Sequence, residues 1–382
     1  MYKIVRRTAI ALGVLAAALV LSAPAAAQSD ILLRLRSGSP LGDRFRVDSA
    51  GGVVAVGQLG IGIIPATGTG WRMMWYPYKA AFRAGGVEGA GTQWNDANIG
   101  FYSWAGGHST IASAFGSFSF GDEVTVSGTD ATGFGGSVTV SGTAGFSAGA
   151  SNLCSGFGCT AIGFTNTASG QGSVAIGYRV TADADYSVAL GHRASANGRT
   201  GAFVIGDQST TDSIEASANN QFSARYAGGY RLYTNAATTT GVQLAAGGSS
   251  WSVISDRNRK QDFLAIDGES ILNRIRALPV STWRYRDEED RSTLHIGPMA
   301  QDWHAAFGFT RDDQSINMSD FDGVNLAAIQ ALEARTADQA RQLEAQAARL
   351  AAQARQIEAA RAENAGLRAR LERLEARMAG KP

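Results

Sequence analysis

Glycine recurs through the middle of this chain on a fixed step. Gly107, Gly121, Gly135, Gly149, Gly163, Gly177 and Gly191 stand 14 residues apart, and Gly206 follows after 15. Half a period on, Gly128, Gly142, Gly156, Gly170, Ala184 and Gly198 are again small. So strict a step excludes a disordered glycine-rich linker and calls for a stack of near-equal coils. Segments such as SVAIGYR, SVALGHR and AFVIGDQ alternate apolar residues ahead of the glycine, the period of a half-buried strand. Fourteen residues accommodate two short strands and two turns, and glycine supplies the backbone angles that the turns demand. Each coil rises by about 4.8 Å, one strand spacing. A coil this narrow encloses little core, so it needs neighbouring chains to bury enough apolar surface.

Charge excludes some partners. Lys+Arg number 34 against Asp+Glu 33, and charged residues make up only 18 % of the chain. Nothing here builds the basic field that nucleic acid or an anionic membrane attracts. Residues 1–27 read as a secretory signal: Lys3, Arg6 and Arg7, an apolar run from Ala9 to Leu21, then Ala25-Ala26-Ala27. That run is short for a membrane span of about 20 residues, and no later stretch suits a transmembrane anchor, so a secreted or cell-surface protein is expected. Cys154 and Cys159 sit five apart in CSGFGC. Export permits a disulfide between them, two free thiols being the alternative. Without histidine partners they make a poor zinc site, and no metal or cofactor is called for.

Residues 28–100 read as a further β region, with FRVDSAGGVVAVGQLGIG alternating between glycine turns. Trp71, Trp75, Tyr76 and Tyr78 crowd together there. They suit packing between subunits better than a ligand-stacking surface, because bulky aromatics mostly serve burial. The coils occupy 101–215, and 216–250 reads as a β connector. Composition then changes: charges rise and glycine thins out. Ile271, Leu272, Ile275 and Leu278 mark an amphipathic helix stopped by Pro279. From 331 to 380 the tail is a heptad array. Position a holds Ile329, Thr336, Leu343, Leu350, Ile357, Asn364, Leu371 and Met378. Position d holds Leu332, Gln339, Gln346, Gln353, Ala360, Leu367 and Leu374. This predicts a coiled coil whose polar middle layers set register rather than strength, without choosing two strands over three.

SVAIGYRVTADADYSVALGHRASANG resembles the head repeat of trimeric autotransporter adhesins. The resemblance covers roughly 101–207 and is clearest over 160–207. It implies a trimeric, left-handed parallel β-roll. Those adhesins end in a membrane barrel, whereas this chain ends in a charged helix, so the resemblance speaks for architecture rather than attachment.

Three ordered segments carry a second resemblance: ISDRNRK at 254–260, LHIGPMAQDWHAAFG at 294–308 and INMSDFDGVNLAAIQAL at 316–332. Together with ALPVSTWRY they resemble the C-terminal intramolecular chaperone of phage endosialidase tailspikes. That domain is also found in other phage fibres and in myelin regulatory factor. It implies a small α+β chaperone domain over 251–330 that drives trimeric folding of the β-structure upstream and then cleaves its own chain. Carried onto this sequence, the nucleophile is Ser255, the base is Lys260 and the scissile bond is Ile254–Ser255. Asp256 and Asn258 are candidates for orienting the loop or the oxyanion, or simply for turn formation.

The chemistry sets conditions. A serine hydroxyl is a poor nucleophile until a base takes its proton. A lysine with the ordinary pKa of about 10.4 is charged at neutral pH. Lowering it by about three units takes roughly 4 kcal/mol of burial, which makes assembly-gated cleavage the expectation. His295 and His304 near the GPMAQDW block, with Gln301 and Asp302, suit structural hydrogen bonding better than catalysis. The overall expectation is a mainly β homotrimeric fibre, its head free to take a host-surface or glycan ligand that the sequence does not identify. One alternative is a fibre that keeps its coiled coil as a permanent stalk. The other is a surface-polysaccharide-degrading enzyme, which would want paired carboxylates. Of the acids in 101–207 (Asp122, Glu123, Asp130, Asp183, Asp185 and Asp207), Asp183 and Asp185 could share a face, but their turn-like TADAD context suits solvated side chains better.

Overall fold

The computed structural model describes residues 31–38, 42–288, 292–309 and 312–379. The signal expected at 1–27 lies outside the described residues. Contacts divide the chain into two units that meet between Tyr230 and Arg231, and each is described by itself.

The first unit opens with an antiparallel sheet of Ile31–Ser37, Gly42–Asp48 and Val53–Ala55, and the rest of it is a parallel β-solenoid with one antiparallel edge strand. One wall is built of strands of four or five residues, among them Thr132–Gly136, Phe146–Ala150, Thr160–Phe164, Val174–Tyr178 and Val188–His192. The opposite wall has two-residue strands such as Thr139–Val140, Leu153–Cys154 and Thr167–Ala168. Each strand pairs in parallel with its equivalent one coil away, so Gly135, Gly149, Gly163, Gly177 and Gly191 lie directly on one another. The long wall extends beyond the regular repeat at both ends. Ala81–Val87 pairs with Trp104–His108, placing Gly85 on Gly107, and Gly70–Tyr76 adds an antiparallel edge strand. At the other end Phe222–Arg225 pairs with Phe203–Gly206.

The stacked glycines explain the period. In Gly163, φ is +117°, and a Cβ there would stand 2.1 Å from the carbonyl oxygen of Gly177. Gly121, Gly135, Gly149 and Gly177 face the next coil's carbonyl at 1.8–2.0 Å on the same construction. No side chain of any size fits such a gap.

Between the walls the core is thin. Ala161, Ala175 and Ala189 point inward from the long strands and meet Val140, Cys154, Ala168 and Ala182 from the short ones, all fully buried. Cys154 and Cys159 are joined by a disulfide inside this core. Two buried asparagines bridge coils. Asn152 donates to the carbonyls of Ala148 and Gly163, both at 2.9 Å, and its Oδ1 accepts from the Asn166 N–H. Asn166 repeats the pattern one coil on, reaching Gly177 and the N–H of Val180. At the first coil, Arg83 takes the inward place in register with Ala105 and is fully buried. Its guanidinium donates to Phe82 O, Ser103 O, Ser103 Oγ and Ala112 O. Burial pulls its pKa down to about 10.

The larger side chains of the long wall point out. Trp104, Phe118, Phe120, Phe134, Ile176 and Phe203 are partly or largely exposed in the single chain, and Phe120 is 53 % accessible. The aromatic run of 71–78 divides by strand alternation. Tyr76 turns into the core and donates to Asp96 at 2.9 Å, while Trp71 and Trp75 face out beside Met73. At the far end Asp207 accepts from the Ala227 N–H, from Ser209 and from Arg225, which ties the last strand to the coil before it.

The boundary falls just inside a strand, Tyr230–Tyr233, which with Gly241–Leu244 and Ser252–Val253 forms a three-stranded sheet. Helix α1 (Gly268–Ala277) is capped by Asp267, whose carboxylate accepts from Glu269 N, and ends ahead of Pro279. The hairpin Ser281–Trp283 with His295–Gly297 follows, then α2 (Ala300–Phe307) and α3 (Met318–Ala379). Ile271 and Leu272 of α1, Trp303 and Phe307 of α2, and Val324 and Ala328 of α3 form one buried cluster. Helix α3 has 62 residues, about 93 Å at 1.5 Å per residue. From 338 to 379 every residue is exposed, the heptad leucines included. Among the described residues, no helix is long and apolar enough to cross a membrane.

Gly163→Ala is expected to cost more than about 2 kcal/mol, since strained φ and a backbone clash add. Gly158→Ala, at an open position with φ +62°, should cost only about 1 kcal/mol. Thermal melts of the full chain separate the two, and equal losses would remove the close approach as the cause. Asp207 is held well below the ordinary carboxylate range, first by the Ala227 N–H and then by Ser209 and Arg225. A depressed carboxylate stabilises the fold above the unfolded pKa of about 3.9 and loses that contribution as pH falls further. The stability gap between wild type and Asp207→Asn should therefore hold from pH 7 to about 5 and narrow progressively as pH falls below about 4. Urea midpoints at three pH values read it.

Candidate self-cleavage site

The dyad proposed from sequence lies where the three-stranded sheet gives out. Strand Ser252–Val253 runs antiparallel to Gly241–Leu244, pairing Ser252 with Gln243 and Val253 with Val242. The Ile254 N–H then donates to Gly241 O at 3.3 Å, the last backbone bond of that ladder. Ile254 is half-buried, and Ser255 is exposed.

Beyond Ser255 the chain folds back within five residues. Asp256 caps the short 3-10 turn Arg257–Arg259, its Oδ1 accepting from Asn258 N at 2.9 Å. The Lys260 N–H donates to Arg257 O at 3.1 Å, after which Lys260 returns to extended backbone. This reversal carries the Lys260 ammonium to Ser255, where Nζ donates to Oγ at 2.7 Å. Asp256 thus acts as a turn former, and Asn258 enters through its backbone N–H. Arg257 stacks over Phe263 at 5.5 Å, which fixes the exit of the loop.

Nothing in the sequence assigns Arg259 a role, yet it bridges. Its Nη1 donates to Thr239 O at 3.2 Å and its Nε lies 3.5 Å from Asp256 Oδ2. A lone arginine in a basic loop carries no signal of the carbonyl it will find.

The other candidates are occupied elsewhere. His295 bonds Glu288 at 3.1 Å and stacks on Trp283, which holds the hairpin together. Trp303 of the GPMAQDW block is a buried core residue, with Gln301 exposed and Asp302 half-buried on the same helix. Asp183 and Asp185 each accept from a backbone N–H of a neighbouring coil, Gly198 and Gln171 respectively, at 2.9 and 2.8 Å. They lock turns on opposite neighbours. Among the described residues, no group of three or more His, Cys, Asp or Glu could hold a metal ion.

No curated protein matches this chain. Two family models do: residues 155–179 and 182–210 each match the YadA head domain repeat, and residues 255–310, starting at Ser255 itself, match the chaperone of endosialidase.

Proposed function

We propose that this protein is a secreted or surface-displayed trimeric fibre whose chaperone domain guides assembly and then cuts the Ile254–Ser255 bond. The observation that carries the cleavage step is the Lys260–Ser255 contact of 2.7 Å at the residue where the chaperone match begins. In this mechanism neutral Lys260 takes the proton of Ser255 Oγ, and Oγ attacks the Ile254 carbonyl carbon. The tetrahedral centre collapses with the Ser255 nitrogen as leaving group, protonated by Lys260. An ester between Ile254 and Ser255 Oγ results. Water hydrolyses it, leaving an Ile254 carboxylate and a free Ser255 with its α-amine and hydroxyl. The single chain leaves both side chains exposed, so the desolvation this chemistry asks for comes from other subunits. Cleavage is thereby tied to assembly.

Trimerisation rests on two surfaces of the single chain. The outward columns of the solenoid's long wall, with Phe134 at 38 % and Ile176 at 37 % exposed, form a continuous apolar stripe. The heptad face of α3, with Leu343 and Leu350 at 65 %, forms another. Burial of such surface at about 25 cal/mol per Å² drives association. A solenoid filled mainly with alanine and valine lacks the core to stand without it. The head's outer surface would then meet a host or glycan ligand. Export is supported by the Cys154–Cys159 disulfide, which persists in an oxidising compartment.

Intact mass under denaturing conditions checks the first claim. Wild type should split into fragments spanning 28–254 and 255–382, while Ser255→Ala and Lys260→Met stay whole. If all three stay whole although folded and assembled, the coiled coil is a permanent stalk and self-cleavage is wrong. Sedimentation of the processed fibre checks the second. Ile176→Asp would bury three carboxylates at the shared axis, at a cost of several kcal/mol each, and should shift the trimer to single chains. An unchanged trimer would remove the stripe from the interface.

A further inference from the structure

We infer that Arg259 is a positioning residue. Together with segment 239–243 it clamps both sides of the scissile bond, so that the dyad aligns only once the upstream sheet has formed. The inference rests on the self-cleavage reading above and adds to it the part of the chain that the site senses.

Both tethers end on the same short stretch. Ahead of the bond, Ser252 and Val253 pair with Gln243 and Val242, and Ile254 N reaches Gly241 O. Behind it, Arg259 reaches Thr239 O. The two terminal anchor points, Gly241 O and Thr239 O, are two residues apart, about 7 Å of extended chain. Only Ser255 to Asn258 hang between the tethered residues, and Asp256 within that span is itself drawn to Arg259.

The stretch that receives the tethers is built to be rigid. Asn235 Oδ1 accepts from Thr239 N at 2.9 Å and from Thr240 N at 3.1 Å, while its Nδ2 donates to Thr239 Oγ1 at 2.6 Å. The Thr234 N–H closes the turn on Thr240 O at 3.0 Å. Gly241 is pressed against the preceding strand, where a Cβ would stand 2.0 Å from Leu232 O. The Thr234–Thr240 bond that closes the turn and the close approach of Gly241 exist only when Tyr230–Tyr233 and Gly241–Leu244 have docked. Until then Thr239 O is not where Arg259 can find it, and the Ser255 side chain is not held in line for attack. Arg259 bonds neither Ser255 nor Ile254 in the structure, so its part is alignment. An attack that depends on near-contact geometry is sensitive to displacements of about 1 Å.

The test follows the time course of cleavage after the full-length chain is refolded from denaturant, read on denaturing gels. Wild type, Ser255→Ala, Arg259→Ala and Arg259→Lys are compared. Circular dichroism and sedimentation confirm that each has folded and assembled. Arg259→Ala is expected to cleave about ten- to hundredfold more slowly, the range for losing a charge-assisted hydrogen bond that holds reacting groups in place. Arg259→Lys should fall between, and guanidinium ion added at non-denaturing concentration should speed Arg259→Ala but not wild type. Wild-type rates in both variants would overturn the clamp while leaving self-cleavage standing. So would a folded Arg259→Ala that neither lysine nor guanidinium rescues. If wild type itself stays whole, the self-cleavage reading fails and the clamp with it. Should Arg259→Ala not fold, Arg259→Lys decides alone: slower cleavage supports the clamp and an unchanged rate overturns it.

Discussion

The first unit depends on one contact repeated along its length: a glycine Cα laid against the carbonyl of the glycine in the next coil. Because positive φ and the missing Cβ are needed at the same place, no other residue satisfies both demands. The contact sets the rise, keeps equivalent strands in register and forces the chain to turn at the same point in each coil. Everything else in the coil adapts. Inward positions shrink to alanine, serine and valine because the walls are close, and the two asparagines bridge carbonyls where a short coil leaves them unpaired. Larger side chains have only the outside to go to. The same constraint that makes the coil narrow therefore creates the apolar stripe on which assembly is proposed to rest.

How much of this was legible in the sequence follows from the same physics. Between Gly107 and Gly206 the glycine step could be read directly, because sterics leave no substitute at those positions. The strands at either end could not. Gly85 stacks on Gly107 across 22 residues, the excess taken up by a segment carrying buried Trp94, and Phe222–Arg225 joins the wall without any glycine at the stacking position. Neither keeps the period, so neither announced itself. Arg83 was equally silent, since a buried arginine satisfied by carbonyls looks no different in sequence from one in solvent. In the aromatic run, the division of Tyr76 from Trp71 and Trp75 required knowing the strand's phase.

In the second unit the apolar spacing of α1 and the Pro279 stop were plain, and the heptads of α3 were continuous. What the sequence could offer at the dyad was residue type and separation. The five-residue spacing of Ser255 and Lys260 becomes a contact only because Asp256 caps a 3-10 turn that reverses the chain, a local event of the kind short polar residues perform. Arg259 escaped notice because its partner is a backbone carbonyl. Carbonyls are present at every position, so sequence holds no trace of which one will be used.

The glycine step also bears on how such a head can change in length. Each stacking glycine meets only its counterpart one coil away, so the rule linking coils is local and carries no memory of how many precede it. Excess residues are absorbed at the corners, as the 15-residue coil ending at Gly206 shows by placing its extra residue between Ser195 and Phe203. Duplication of a 14-residue stretch within the regular coils, between Gly107 and Gly191, would return the chain to the same phase with the stacking-glycine contact repeated. The length of the stack is thus adjustable by simple genetic repetition, in increments of one strand spacing.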